Sequence, residues 1–288
     1  MKIVLICGGL GNQIFQYAFV RRLQLISNEK VKIDTKSFYE FNKEGNETSR
    51  QFILSKLNCC FEEASNEEIH QLKYKYGLLS VIWRRFSKKF IYSYFIKYSE
   101  RYLTLKGDLY FDGFWQSPKY FNDIRHELLK EITPSFNLSN NYYKHLKKIE
   151  SCNSVSLHVR RGDYLSKRVK EKYGLCSIDY YRKAVQKITE SIENPVFFIF
   201  SDDMDWVKEN FSLNSKVVFL SHKGLIDLEE LFLMSKCKHN IIANSTFSWW
   251  GAWLNQNLKK MIICPDPWFD YEIYDKSLIP KSWILISK

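Results

Sequence analysis

The sequence predicts an α/β protein whose second half is a doubly wound parallel sheet. Short continuous apolar runs alternate with longer segments of helical period, which is the pattern of βαβ units. Four polar motifs stand where such runs end. The chain has 288 residues, 45% of them hydrophobic, enough for one large domain or two of moderate size.

Ile3 to Cys7 is an apolar run that ends in glycines, as a strand covered on both faces would. Ile14, Phe15, Ala18, Phe19, Leu23 and Ile26 then recur at near-helical spacing and predict a helix from about Gln13 to Ser27. Val31 to Asp34 reads as a second strand and residues 41–51 as a polar loop. Ser65-Asn66-Glu67-Glu68 is a capping box that starts a helix. Ser117-Pro118 starts another, with proline where its missing N–H costs nothing. Further strands are expected near 155–159, 196–200, 217–220, 240–243 and 261–264. Helices are expected near 178–193, 205–211, 227–237 and 246–258. The polar stretch 135–153 divides the chain into domains 1–145 and 146–288, the first smaller and more irregular.

Composition bounds the function. A surplus of 43 Lys+Arg over 32 Asp+Glu leaves a formal charge of +11. That balance calls for an anionic partner: nucleic acid, an acidic membrane surface or a phosphate-bearing substrate. The chain has no apolar run of membrane-spanning length, and its first such run is too short for a signal-peptide core. The seven cysteines are odd in number and include no C-x-x-C pair. They read as reduced cytoplasmic thiols rather than a zinc site or a disulfide framework.

Open α/β sheets bind ligands beyond the carboxyl ends of their strands. The first motif there is Gly8-Gly9-Leu10-Gly11-Asn12-Gln13. Gly9 and Gly11 let a ligand approach the backbone, and the following helix start, with Asn12 and Gln13, favours an anion. The motif lacks the Lys-Ser/Thr of a phosphate loop and departs from G-x-G-x-x-G at Ile14; a plain strand-to-helix turn fits as well. The second is His158-Val159-Arg160-Arg161-Gly162-Asp163-Tyr164. Two arginines leaving a buried strand need partners. One can grip a phosphate with its planar fork while the other pairs with Asp163 and holds the loop. A structural salt-bridge network is the plainer alternative.

The third motif is Ser201-Asp202-Asp203, whose carboxylates suit a guanine edge or a ribose hydroxyl, or cap the next helix. Asp203-Met204-Asp205 also spells a metal-using D-x-D, but two carboxylates do not make a magnesium site, and Asp205 reads as a helix start. The fourth is Asn244-Ser245-Thr246-Phe247-Ser248, which opens a helix and leaves N–H groups for a phosphate. Trp249, Trp250 and Trp253 behind it read as core.

GGLGNQIFQYA (8–18), YFDGFWQSPKYF (110–121), HVRRGDY (158–164), SDD (201–203) and NSTFSWWGAWL (244–254) occur in this order. Together they resemble the family 11 glycosyltransferases, the bacterial α-1,2-fucosyltransferases, over almost the whole chain. The resemblance implies a GT-B-like architecture, two Rossmann-like domains facing across a cleft. Residues 1–145 would be the acceptor side and 146–288 the GDP-fucose-binding domain. It implies inverting, metal-independent transfer of L-fucose from GDP-β-L-fucose to the 2-hydroxyl of a terminal galactose or similar sugar. The setting would be O-antigen or other surface polysaccharide synthesis, with no cofactor beyond the donor.

Residue by residue, the resemblance implies Arg160 on the diphosphate and Arg161 and Asp163 holding the motif. His158 and one of Asp202 or Asp203 would meet the guanine. Ser245, Thr246, Phe247 and Ser248, with Asn244 beside them, would meet the phosphates. Gly9, Gly11, Asn12 and Gln13 would close over the pyrophosphate or sugar. Arg160 and Asp163 are the candidate catalytic residues. Some relatives place a Glu in the glycine loop as the base; this chain has none at 8–13.

The charge is unevenly spread. Residues 70–106 hold nine Lys/Arg (Lys73, Lys75, Arg84, Arg85, Lys88, Lys89, Lys97, Arg101, Lys106) against Glu100 alone, with ten aromatics. That segment is +8, and the other 251 residues share +3. Its part from 80 to 106 could contact the anionic inner face of the cytoplasmic membrane, where a lipid-linked acceptor would be met. Equally, its aromatics could fill the first domain's core while its cations stay solvated. No nucleic-acid-binding module is present, so a nucleic-acid partner is not expected.

Overall fold

A computed structural model describes residues 1–40, 51–73, 89–93, 97–166, 171, 173–221, 224–270 and 276–288. Nearly all of the polar loop expected at 41–51 lies outside the described residues. So do Lys75, Trp83, Arg84, Arg85, Phe86, Lys88, Tyr94 and Phe95 of the basic segment.

The described chain forms two compact units. The first holds Met1–Phe136 and the described part of Ile273–Pro280. Its strands are β1 (Lys2–Leu5), β2 (Val31–Asp34), β3 (Phe90–Ser93) and β4 (Leu109–Gly113), all parallel, in the order β2-β1-β4-β3. Helix α1 (Leu10–Ile26) crosses from β1 to β2. Helix α2 (Asn66–Lys73) starts at the expected capping box. The Glu68 N–H donates to Ser65 Oγ at 3.2 Å, and the Ser65 N–H donates to the Glu68 carboxylate at 2.8 Å. After Ser117 the chain makes two short 3-10 turns, Pro118–Tyr120 and Asn122–Ile124, rather than a helix. Phe121 at φ −147° separates the two turns, and the α-helix there, α3 (Arg125–Glu131), starts later. Phe15, Tyr17, Phe19, Tyr110, Phe111, Trp115 and Phe121 are all buried, so much of the aromatic surplus is core.

The second unit holds Asn137–Glu272 and Lys281–Lys288. Its strands are β5 (Asn153–Val159), β6 (Pro195–Ser201), β7 (Lys216–Phe219), β8 (His239–Ile241), β9 (Ile262–Asp266) and β10 (Ile284–Ser287). All pairs are parallel, in the order β10-β9-β8-β5-β6-β7. Its helices are α4 (Asn140–Glu150), α5 (Ile178–Ser191), α6 (Met204–Asn210), α7 (Asp227–Lys236) and α8 (Thr246–Trp253). The expected division at 145 would cut α4 in two. Tyr142, His145 and Ile149 make a buried stripe along that helix, and the Ser139 N–H at its start donates to the buried Glu229 of α7 at 2.6 Å. Helix α4 therefore belongs to the second unit.

Strand order locates the place for a ligand. From β5 the sheet grows through β6 to β7 on one side, then resumes at β8 on the other. The crossovers leave a crevice beyond the carboxyl ends of β5 and β8, the topological switch point of a doubly wound sheet. In the first unit the equivalent point lies between β1 and β4. The tryptophans of α8 fill the second unit's core as expected: Trp249 and Trp250 are fully buried. Gly251 lets α8 lie against α7, because a Cβ there would stand 2.9 Å from Met234 Cβ.

Candidate active site

Strand β5 is buried from Ser154 to Val159, and Arg160 and Arg161 follow directly at the switch point. Arg160 Nη1 lies 3.0 Å from Asp202 Oδ2, and the Arg161 backbone N–H donates to Asp202 Oδ1 at 2.8 Å. One carboxylate at the end of β6 thus fixes both the side chain of Arg160 and the backbone of Arg161. Arg161 Nε donates to Asp203 Oδ2 at 3.0 Å, and its guanidinium stacks 3.7 Å from the Trp206 ring centroid. Arg161 is thus held by Asp203, which reaches it from the neighbouring strand end, a partner the sequence reading did not name. Asp163 opens the single turn Asp163–Leu165; its side chain is outside the described set. Gly162 has to be small, because a Cβ there would stand 2.6 Å from Asp202 Oδ2.

The carboxylates of the D-x-D have separate partners. Asp203 Oδ1 accepts the Trp206 N–H at 3.3 Å as the cap of α6, whereas Asp205 is 92% exposed and pairs with Lys208. Among the described residues no group of three or more His, Cys, Asp or Glu is placed to hold a metal.

The fourth motif joins the second at the same crevice. Tyr164 donates its hydroxyl to the Asn244 carbonyl at 3.0 Å, and the Arg160 guanidinium lies 5.8 Å from the Tyr164 ring centroid. The His158 ring stands 5.6 Å from that of Phe247. His158 is 4% exposed, and its Nδ1 has no partner among the described residues. Burial, reinforced by Arg160, pushes its pKa down to about 3, so the imidazole is neutral at physiological pH. Ser245 caps α8 by accepting the Phe247 N–H at 3.3 Å, which leaves other first-turn N–H groups without intrahelical partners.

Not every expected contact residue faces a ligand. Asn244 is 1% exposed and donates Nδ2 to the carbonyls of Tyr173, Gly174 and Trp268 at 2.8–3.2 Å. Ser248 is fully buried, with its hydroxyl on the Ala243 and Ser245 carbonyls. Thr246 and Phe247 are the half-exposed members of the motif. Sequence reasoning did not single out Trp206, nor Tyr164 as the link between motifs; Trp206 at the third position of α6 was the available signal for an arginine stack.

In the first unit, Gly8 takes φ +80° and Gly9 caps α1. Gly11 and Gln13 are buried in the first turns of that helix. Gln13 donates Nε2 to the carbonyls of Gly8 and Gln51 and accepts the Ile53 N–H, so it is a strut. Asn12 stays half-exposed and accepts from Gln116 Nε2 at 2.9 Å.

The family model for glycosyl transferase family 11 matches residues 1–287. The chain belongs to glycosyltransferase family 11. An alpha-1,2-colitosyltransferase of Escherichia coli is 35% identical over 305 aligned positions, covering 100% of both chains. The O-antigen biosynthesis glycosyltransferase WbnK of Escherichia coli is 31% identical, covering 96% of this chain and 97% of its own. A mutant of Arabidopsis thaliana FUT1 in complex with GDP matches in structure, with a TM-score of 0.51 at 14% identity. That match covers 91% of this chain and 70% of the other. The structural likeness shows the fold, the GT-B-like class expected from the sequence.

The neutral His158 of this glycosyltransferase has a measurable signature. Between pH of about 6.5 and 3 the unfolded chain binds a proton at His158 that the folded chain refuses, so stability falls as pH drops through that window. Urea denaturation of His158→Gln will show a shallower loss across that range than wild type. An unchanged slope would contradict a neutral buried imidazole.

Proposed function

We propose that this family 11 glycosyltransferase transfers L-fucose from GDP-β-L-fucose to the 2-hydroxyl of a terminal galactose, or a similar sugar, of an O-antigen or other surface glycan. The observation that carries the reading is that the arginine motif is joined to the residues opening α8 at the second sheet's switch point, through Tyr164 on the Asn244 carbonyl and His158 beside Phe247. A β-linked donor and an α-linked product require one displacement with inversion. Negative charge then grows on the leaving GDP phosphate. Arg160 and the free N–H groups of α8, with Thr246 and Phe247 at their rim, are placed to stabilise it.

Guanine offers N–H donors along one edge, and the carboxylates of Asp202 and Asp203 keep lone pairs beyond those their arginines use. His158 contributes a neutral, unpaired nitrogen beside Phe247. Gly9 and Asn12 remain the ligand-facing part of the glycine loop, with Gly11 and Gln13 shaping it. Asp163 stays the candidate for a role at the acceptor hydroxyl. Positive charge at the leaving group comes from the protein in this reading, so no metal is required.

A second donor has support of its own. The colitosyltransferase relative at 35% identity favours GDP-colitose, whose sugar is fucose without its 3-hydroxyl. A donor panel separates the two. Turnover with GDP-fucose well above GDP-colitose and GDP-mannose, undiminished by excess EDTA, is expected. Arg160→Ala should lower kcat/KM by about 100–1000-fold. Near-wild-type turnover of that variant, or EDTA loss reversed by magnesium, would overturn the reading.

We further propose that the enzyme works in the cytoplasm against the anionic inner face of the membrane. Lys97, Arg101 and Lys106 are exposed and have no ion-pair partner among the described residues, whereas Lys2, Arg21, Arg22 and Lys32 of the same unit are each paired. Vesicles rich in phosphatidylglycerol should sediment the wild-type chain, and Lys97→Glu, Arg101→Glu and Lys106→Glu together should release it. Binding indifferent to those reversals, or absent from the start, contradicts the placement.

A further inference from the structure

The YFDGFWQSPKYF stretch is not used by the donor site, yet it carries the most constrained backbone in the first unit. Trp115 sits at φ +55°, in the left-handed region that a bulky side chain rarely takes. Its ring stacks on Phe19 at 4.3 Å with an interplanar angle of 8°, and the edges of Tyr102, Phe111 and Tyr120 surround it. The Ser117 N–H donates to the Trp115 carbonyl at 2.8 Å and closes the turn. Strain held this firmly is a mark of functional sites.

The turn has a local product. It follows the carboxyl end of β4 and brings Gln116 to Asn12, in the first turn of α1, at the first sheet's own switch point. Gln116 Nε2 donates to Asn12 Oδ1 at 2.9 Å, and among the described residues neither side-chain amide makes another hydrogen bond. Both are half-exposed. The joined pair therefore leaves one carbonyl oxygen and one NH2 group for a ligand, each on the same carbon as one end of the shared hydrogen bond. Flipping both amides leaves the same two functions, so the reading does not depend on how they were oriented. Gly8 keeps the nitrogen side open, because a Cβ there would stand 2.9 Å from Asn12 Nδ2.

That combination selects chemistry. A phosphate presents only acceptors, and the free amide oxygen would repel it. A sugar hydroxyl both donates and accepts, and two neighbouring hydroxyls match an adjacent oxygen and NH2. We infer that Gln116 and Asn12 form a saccharide subsite in the first unit that binds neighbouring hydroxyls of a pyranose ring. The inference rests on the proposed glycosyl transfer, and the ring could be the acceptor sugar or the sugar carried by the donor.

Gln116→Ala tests it, with Gln116→Glu as a near-isosteric second variant should the first fail to fold. Wild-type turnover and GDP binding are measured first; their absence would sink the proposed function and with it the subsite that rests on it, whereas in an active enzyme the outcomes below bear on the subsite alone. An acceptor KM raised about tenfold, with GDP-fucose affinity unchanged, supports the subsite and makes the ring the acceptor's. Weaker GDP-fucose binding with unchanged GDP affinity supports it and makes the ring the donor's. A parallel loss of affinity for GDP alone, or no change in any of the three, overturns it.

Discussion

Two guanidinium groups leave the end of a fully buried strand, and everything at the second sheet's switch point depends on how they are neutralised. Asp202 resolves the problem with both its oxygens, one on the Arg160 side chain and one on the Arg161 backbone. Asp203 holds the Arg161 side chain and caps α6 with its other oxygen. The carboxylates come from the adjacent parallel strand, so the register of β5 and β6, with Val159 opposite Ser201, sets the pairing. Removing a partner from such a pair would leave a poorly solvated charge, which is far more costly than the pair is worth. The arrangement also preorganises Arg160: its guanidinium has five N–H groups, and Asp202 occupies only part of that set.

The two arginines consequently have different roles although they are neighbours in sequence. Arg161 is held on three sides, by Asp203, by the Trp206 ring and through its own N–H. Arg160 is bound by the Asp202 carboxylate and lies against the Tyr164 ring. Tyr164 ties the two motifs together by its bond to the Asn244 carbonyl. Stiffness in the scaffold thus holds both cations in place at the end of β5.

Strands of the second unit were legible because burial on both faces makes continuous apolar runs, as in Val155–Val159. The runs that escaped reading differ for physical reasons. Strand β10 lies at a sheet edge with Leu285 half-exposed, and β4 carries Asp112 and Gly113 within it. Helix α4 is polar apart from a three-residue stripe and so resembled a linker. At the site, the motifs were legible but their internal partners were not. Asn244, Ser248 and Gln13 look like ligand contacts in sequence, yet each is turned inward to satisfy backbone groups that loops leave unpaired. Asp203 as a partner of Arg161 was not legible either, because only the folded sheet shows that it is within reach.

The central claim is that the second unit's switch point is an anion site built on Arg160 and the start of α8. A crystal structure of the full chain with GDP tests it most directly. The diphosphate should lie within hydrogen-bond distance of Arg160 and of backbone N–H groups at 246–248, with Arg161 still held by Asp203. A diphosphate seated elsewhere, with Arg160 bonded to Asp202 alone, would contradict it.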